Sequence, residues 1–285
     1  MIFRTRIRAR RRLLVVAATL LLAAAGARAD GEQDVATALV AAAAAGEPLP
    51  HASILLPAAD VAAAYRIASL VVMATLAGRE PAGFKAGLMD RALQQRFGLD
   101  EPFAGVLYPG TALDSGAAVV AGRFPGLVVE SEIGFVIDRE VTAPIPDVET
   151  MQHYVRAVVP VAELVRTQYA PGAPLTGIDV IAANTGAALY VRGAPLGAMP
   201  AAALNALAVT LSRDGVRLHT AAADTALGNQ YEALRWLVNK VLALGWAVGP
   251  GQLLITGALG TPVPATPGRY RIDYGTVASI DLLVL

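Results

Sequence analysis

The 285-residue chain contains no cysteine. That single absence excludes disulfides, thiolate metal ligands and thiol nucleophiles together. Histidine is scarce, with three residues in the whole chain, and none forms a His-x-x-x-His pair. No P-loop, no dinucleotide-binding glycine fingerprint and no Gly-x-Ser-x-Gly elbow occurs either. The common signatures of nucleotide binding, zinc hydrolysis and serine hydrolysis are therefore missing. Basic and acidic residues balance at 23 each, but seven arginines fall within residues 1–29, which hold no acid. The remainder carries 16 basic against 23 acidic residues, a charge near −7. A net acidic chain without a basic cluster excludes nucleic acid as the expected partner.

What the first 29 residues do contain is an export signal. Arg4, Arg6, Arg8, Arg10, Arg11 and Arg12 precede an apolar run from Leu13 to Ala25, and Ala27-Arg28-Ala29 supplies small residues for cleavage before Asp30. Arg10-Arg11 followed by Leu13 and Leu14 loosely matches a twin-arginine signal. The run is short for a membrane span, so an uncleaved anchor is the lesser alternative. The expectation is an exported, periplasmic protein with no membrane attachment after cleavage. Without disulfides, its stability must come from core packing and from subunit contacts in a homo-oligomer. We read residues 30–110 as an N-terminal helical region and residues 111–285 as the main, strand-rich domain.

The alanine-rich stretch from Gln33 to Ala45 predicts a helix ended by Gly46 and Pro48, and a second helix runs from about Ala58 to Ala77. His51 between them reads as a loop residue. Gly83 to Leu88 reads as a strand bearing Lys85, Met89 to Phe97 as a short helix, and Val106 to Tyr108 and Ala117 to Ala121 as apolar or strand segments. Val148 to Val158 predicts a helix with His153 on its surface. Asp179 to Ala183 and Ala188 to Val191 predict short strands around the turn Asn184-Thr185-Gly186. Ala208 to Ser212 and Val216 to Thr220 form a hairpin through Arg213-Asp214-Gly215, with His219 outward. A helix from Gln230 to Leu244 and strands at Leu253 to Thr256, Tyr270 to Tyr274 and Val277 to Val284 complete the chain.

The stretch Leu127 to Asp138 is rich in β-branched residues and reads as a buried strand interrupted by Glu130 and Glu132. Side chains alternate along a strand, so these two carboxylates share a face, about 7 Å apart along the backbone. Two like charges on a buried face require a proton or a cation. A divalent metal is the simplest answer, and oxygen-only ligands favour Mg²⁺, Mn²⁺ or Ca²⁺. The alternative places one Glu toward solvent or against an arginine. Glu163, alone in the apolar run Val159 to Val165, is a candidate third ligand. Lys85 either reaches out to water along its aliphatic stem or supplies a fixed positive charge and a proton to a metal-bound anionic substrate.

Taken in order, these features resemble the 2-keto-4-pentenoate hydratase group of the fumarylacetoacetate hydrolase superfamily, which also contains 4-oxalocrotonate decarboxylases. The resemblance runs from about Tyr65 to the C-terminus. It rests on Gly-Phe-Lys-Ala-Gly-Leu at 83–88, Gly-Leu-Asp-Glu-Pro at 98–102 with Gly105-Val106-Leu107, Val129 to Val136, Pro160-Val161-Ala162-Glu163, Asp179 with Asn184, Leu227-Gly228, and Gly251 to Gly257. It implies an α+β fold, a mixed β-roll with an N-terminal helical region. It also implies Mg²⁺ or Mn²⁺ held by Glu130, Glu132 and Glu163, Lys85 as the catalytic lysine, and Asp179 and Asn184 at the substrate. The implied activity is hydration of a short 2-hydroxydienoate or 2-oxo acid through a metal-stabilised enolate. Decarboxylation and carbon-carbon hydrolysis are the alternatives within the superfamily.

The chain also departs from that pattern. The usual Pro-Asp-Phe-Gly is Pro102-Phe103-Ala104-Gly105, Asp-Asn-Ala-Ser is Ala183-Asn184-Thr185-Gly186, Leu-Gly-His-Pro is Leu227-Gly228-Asn229-Gln230, and the serine expected after Gly257 is Ala258. The metal ligands are kept and proton-transfer partners are lost, at a cost of roughly 10²- to 10⁴-fold in rate if they act as acid or base. Two further readings follow, an exported 2-oxo acid binding protein with impaired turnover and a metal-free structural paralogue.

Overall fold

A computed structural model describes residues 29–285. Apart from Ala29, the expected export signal and the anchor alternative lie outside the described residues. Among the described residues no helix is long and apolar enough to cross a membrane. Helix α1 covers residues 29–45. Helix α2 is the single turn Ala52–Leu55, and α3 spans Val61–Leu76. Asp60 starts α3 by accepting from Ala63 N at 2.7 Å, the usual N-cap bond. Val35, Leu39, Ala64 and Ile67 from these helices form a satellite core with Phe103 and Ile181.

The main sheet has eight strands. Seven run in the order β2 (Phe103–Leu107), β1 (Gly83–Gly87), β10 (Leu253–Ile255), β5 (Leu127–Ile137), β6 (Val155–Arg166), β7 (Ala187–Arg192) and β3 (Ala112–Asp114). The eighth, β11 (Val263–Pro264), adds to β5. The β1–β10 and β3–β7 pairs are parallel and the others antiparallel. A second, five-stranded sheet orders β4 (Ala118–Val119), β13 (Ser279–Val284), β12 (Gly268–Tyr274), β8 (Ala208–Arg213) and β9 (Val216–Ala222). Helix α8 (Gln230–Ala243) inserts Leu234, Leu237, Val238 and Val241 into the main core. This is the expected α+β fold with its mixed, curled sheet. Strands β1 and β2 precede residue 110 yet join the same sheet as β5 and β6.

The hairpin forms as expected, with Asp214 (φ 51°) and Gly215 (φ 80°) both left-handed between paired Arg213 and Val216. Two other elements differ. Helix α5 stops at Val148–Gln152, and the chain from Val155 onward is strand β6. Its β-branched run of Val155, Val158, Val159 and Val161 favours the pleated surface over a continued helix. The segment expected as a strand at Asp179 is instead helix α6, Gly177–Ala182. Thr176 and Asp179 form a reciprocal capping box at its start, which provides a local reason for helix.

The histidines differ as well. His51 stands at the N-cap of α2 but is buried, its Nδ1 3.2 Å from Asp179 Oδ2 and its Nε2 3.0 Å from the Ala170 carbonyl oxygen. His219 is half-buried rather than exposed, because its ring packs on Gly260.

Candidate metal centre

Strand β5 brings Glu130 and Glu132 to one face, as period-two alternation requires. The antiparallel register then sets Glu163 of β6 directly opposite Glu130, with Glu132 opposite Val161. One carboxylate oxygen from each of the three lies within 4.8 Å of the others. Below them, Tyr274 of β12 locks the strands together. Its hydroxyl accepts from Val161 N at 3.1 Å and donates between the carbonyls of Glu132 (2.7 Å) and Val161 (2.9 Å). Glu132 Oε2 accepts from Gly257 N at 2.9 Å, so the loop after β10 is tied to the same carboxylate.

Glu132 and Glu163 are 0% and 1% exposed, yet Glu132 Oε1 and both Glu163 oxygens lack a hydrogen-bond donor. Orphaned buried acceptors are costly. Lys85 of β1 answers part of the charge. Its ammonium lies 2.5 Å from Glu163 Oε1 as an ion contact without hydrogen-bond alignment, and donates to the Thr185 carbonyl at 3.3 Å. With all three carboxylates ionised, as metal ligands must be, one ammonium would leave two negative charges uncompensated. Burial first, and then the charge of Glu163, raises the Glu130 carboxyl from 4.5 to about 7, although Lys85 and a hydrogen bond with Glu132 act against it. Burial likewise holds Glu132 well above the usual carboxylate range, with Glu163 and Glu130 adding to the effect. An all-oxygen donor set with a double negative charge and unsatisfied lone pairs fits a hard divalent cation.

A cavity of about 790 Å³ opens beside this cluster, with Lys85 and Glu130 in its wall. Thr185 lines it too, on a left-handed turn in which Asn184, Thr185 and Gly186 have φ of 49°, 56° and 67°. Threonine rarely adopts this conformation, and such strain clusters at functional sites. The turn directs the Thr185 carbonyl onto Lys85. The Asn-Thr-Gly sequence signals a turn but not this contact, so Thr185 was not legible as a site residue.

The other two expected substrate residues sit elsewhere. Asp179 is fully buried and does not line the cavity. Burial alone would raise its carboxyl, but bonds from Ser53 N, Thr176 N, Thr176 Oγ1 and His51 hold it below the usual range. Asn184 clamps Val106, accepting from its N at 2.8 Å and donating to its O at 2.9 Å. Of the positions that depart from the pattern of the resembled family, Phe103, Thr185, Gly186 and Ala258 line the cavity, while Asn229 caps α8 through Tyr231 N at 2.9 Å.

No family model matches the chain. The 2-keto-4-pentenoate hydratase of Paraburkholderia xenovorans (strain LB400) is 30% identical over 237 residues, covering 83% of this chain and 88% of that protein. Among solved structures, the 4-oxalocrotonate decarboxylase from Pseudomonas putida G7, complexed with magnesium and adipate, superposes with a TM-score of 0.83 at 20% identity, over 90% of this chain and 98% of that one. The fumarylpyruvate hydrolase from Pseudomonas aeruginosa, in complex with Mn²⁺ and pyruvate, gives a TM-score of 0.50 at 14% identity, over 71% and 88% of the two chains.

Proposed function

Because this chain belongs to the 2-keto-4-pentenoate hydratase family of the fumarylacetoacetate hydrolase superfamily, we propose that it is a metal-dependent hydratase acting on a small 2-hydroxydienoate or 2-oxo acid. The observation that carries this reading is the convergence of Glu130, Glu132 and Glu163 within 4.8 Å, beside a buried lysine and a cavity. The three carboxylates would hold Mg²⁺ or Mn²⁺, ions named with the solved relatives. When bound, such an ion supplies Lewis acidity toward a carboxylate and an adjacent oxygen.

The chain's own residues do the rest. Lys85 holds a positive charge at the cavity wall, pinned by the Thr185 carbonyl and Glu163, where it attracts an anionic substrate and can pass a proton to or from it. Leu88, Phe97, Phe103 and Val180 give part of the cavity wall an apolar surface, which strengthens charge interactions beside it. Export to the periplasm and assembly into a homo-oligomer belong to the same proposal, supported by the arginine-rich leader pattern and the lack of cysteine.

The experiment is loss of diene absorbance from a 2-hydroxy-2,4-dienoate with Mg²⁺ present and after chelation. A specific observation also favours a second reading, a 2-oxo acid binding protein with impaired turnover. Phe103, Gly186 and Ala258 line the cavity without a proton-carrying side chain. That reading expects calorimetric binding of oxalate with Mg²⁺ and no loss of diene absorbance. Light scattering of the purified protein and N-terminal sequencing of a periplasmic fraction test assembly and export.

A further inference from the structure

The cavity is much larger than a five-carbon acid needs. At about 790 Å³ it falls within the range of roughly 300–1,000 Å³ that holds drug-sized ligands. Its walls are unequal. Lys85 and Glu130 occupy one part, and Ala258, Gly260 and Thr261 with β9 form a side of small residues. Leu88, Phe97, Phe103, Tyr169 and Val180, also in the lining, belong to one contiguous apolar cluster. Leu93 of α4 (Arg91–Arg96) also lines the cavity and is 39% exposed.

Leu88 carries a second, independent sign. It adopts φ 54°, a left-handed conformation that glycine takes without strain, and its side chain is half-buried on the cavity wall. Backbone strain of this kind persists where the surrounding structure imposes it. Two arginines also line the cavity. Arg166 gives both terminal nitrogens to the Ala43 and Glu47 carbonyls at the end of α1 while its buried Nε has no acceptor, and Arg96 is exposed on α4.

We propose that the substrate is a monocarboxylic 2-oxo or 2-hydroxydienoic acid with an apolar tail, which runs from the carboxylate cluster along the Leu88, Phe97, Phe103 and Tyr169 wall. This rests on the metal-site reading above and extends it from the head group to the rest of the molecule. Burying one methylene against such a wall is worth about 0.8 kcal/mol, about fourfold in affinity.

The test is a calorimetric ladder on the Mg²⁺-loaded protein with pyruvate, 2-oxobutanoate, 2-oxohexanoate, 2-oxooctanoate and the dicarboxylate 2-oxoadipate. The expected result is a Kd falling about fourfold per added methylene, with 2-oxoadipate weaker than 2-oxohexanoate. Leu88→Gly, which relieves the left-handed strain, and Leu93→Gln, on an exposed helix face, keep the fold by thermal denaturation and give a shallower ladder. A flat or reversed ladder, tighter binding of 2-oxoadipate, or an unchanged slope in both variants overturns the tail assignment while pyruvate binding still supports the metal site. If pyruvate and every longer acid fail to bind with Mg²⁺ present, the metal-site reading fails, and the tail assignment with it.

Discussion

Glu130 and Glu163 are direct partners across the β5–β6 ladder. Side chains in such a pair stand about 4.5–5.5 Å apart at Cβ, and like charges there destabilise the sheet. The fold sets a third acid, Glu132, on the same face and allows Lys85 to offset part of the charge. A divalent cation removes what repulsion remains, so stability and metal binding are coupled at this pair.

Replacing Glu132 by Gln removes a carboxyl whose ionisation burial and its two acidic neighbours oppose, and offers an amide to the orphaned acceptors around it. In EDTA this variant is expected to be more stable than the parent by about 1–3 kcal/mol, and so to unfold at a higher temperature. With Mg²⁺ the order reverses, because the parent gains ligand stabilisation that the variant has lost. Differential scanning calorimetry with and without Mg²⁺ reads both. A lower Tm in EDTA would show that the cluster is not strained by charge.

The pH dependence of the metal-free protein follows from Glu130. Its folded carboxyl titrates near 7 against an ordinary 4.5, so between these values the folded state binds more protons than the unfolded state. That contribution to stability is fully present below about 4.5 and is lost as pH rises through about 7. Metal affinity runs the other way, since ligands must be ionised to bind. Denaturation midpoints in EDTA should fall from pH 5 to 8, and Mn²⁺ affinity, followed by electron paramagnetic resonance, should rise over the same interval.

Lys85→Met keeps the buried stem and deletes the charge. Turnover of a dienoate is expected to fall by about 10²- to 10⁴-fold, the usual loss for a positioned acid or base. Mn²⁺ binding should hold or tighten, because a competing cation leaves Glu163. Loss of Mn²⁺ binding in a folded variant would assign Lys85 to building the metal site rather than to chemistry.

Asp179→Ala leaves His51, Ser53 N and Thr176 without their shared acceptor. Leaving a buried donor without its acceptor costs about 1–3 kcal/mol for each group, so urea denaturation should shift strongly. The Kd for pyruvate, measured below the transition, should stay within a few-fold of the parent. A large rise in Kd with little loss of stability would return Asp179 to the substrate.

Much of this was legible along the chain. Period-two alternation placed Glu130 and Glu132 on one face, and Asp214-Gly215 marked the hairpin that forms. Thr176 and Asp179 carried a capping box that a strand assignment overlooked, because the apolar residues around Asp179 outweighed a signal set three residues apart. Thr185 gave no such warning, since a left-handed threonine is imposed by the structure around it.

The amino-acid order alone determined the chemistry available: hard oxygen donors, one lysine in a glycine-flanked strand, and no thiol. It could not decide which acid stands opposite Glu130, which face of β1 meets the cluster, or that the acid at 179 is sealed away from the cavity. Those depend on strand register and on the parallel β1–β10 pairing, and register is chosen by burying both sheet faces at once, a property of the whole core and not of any segment.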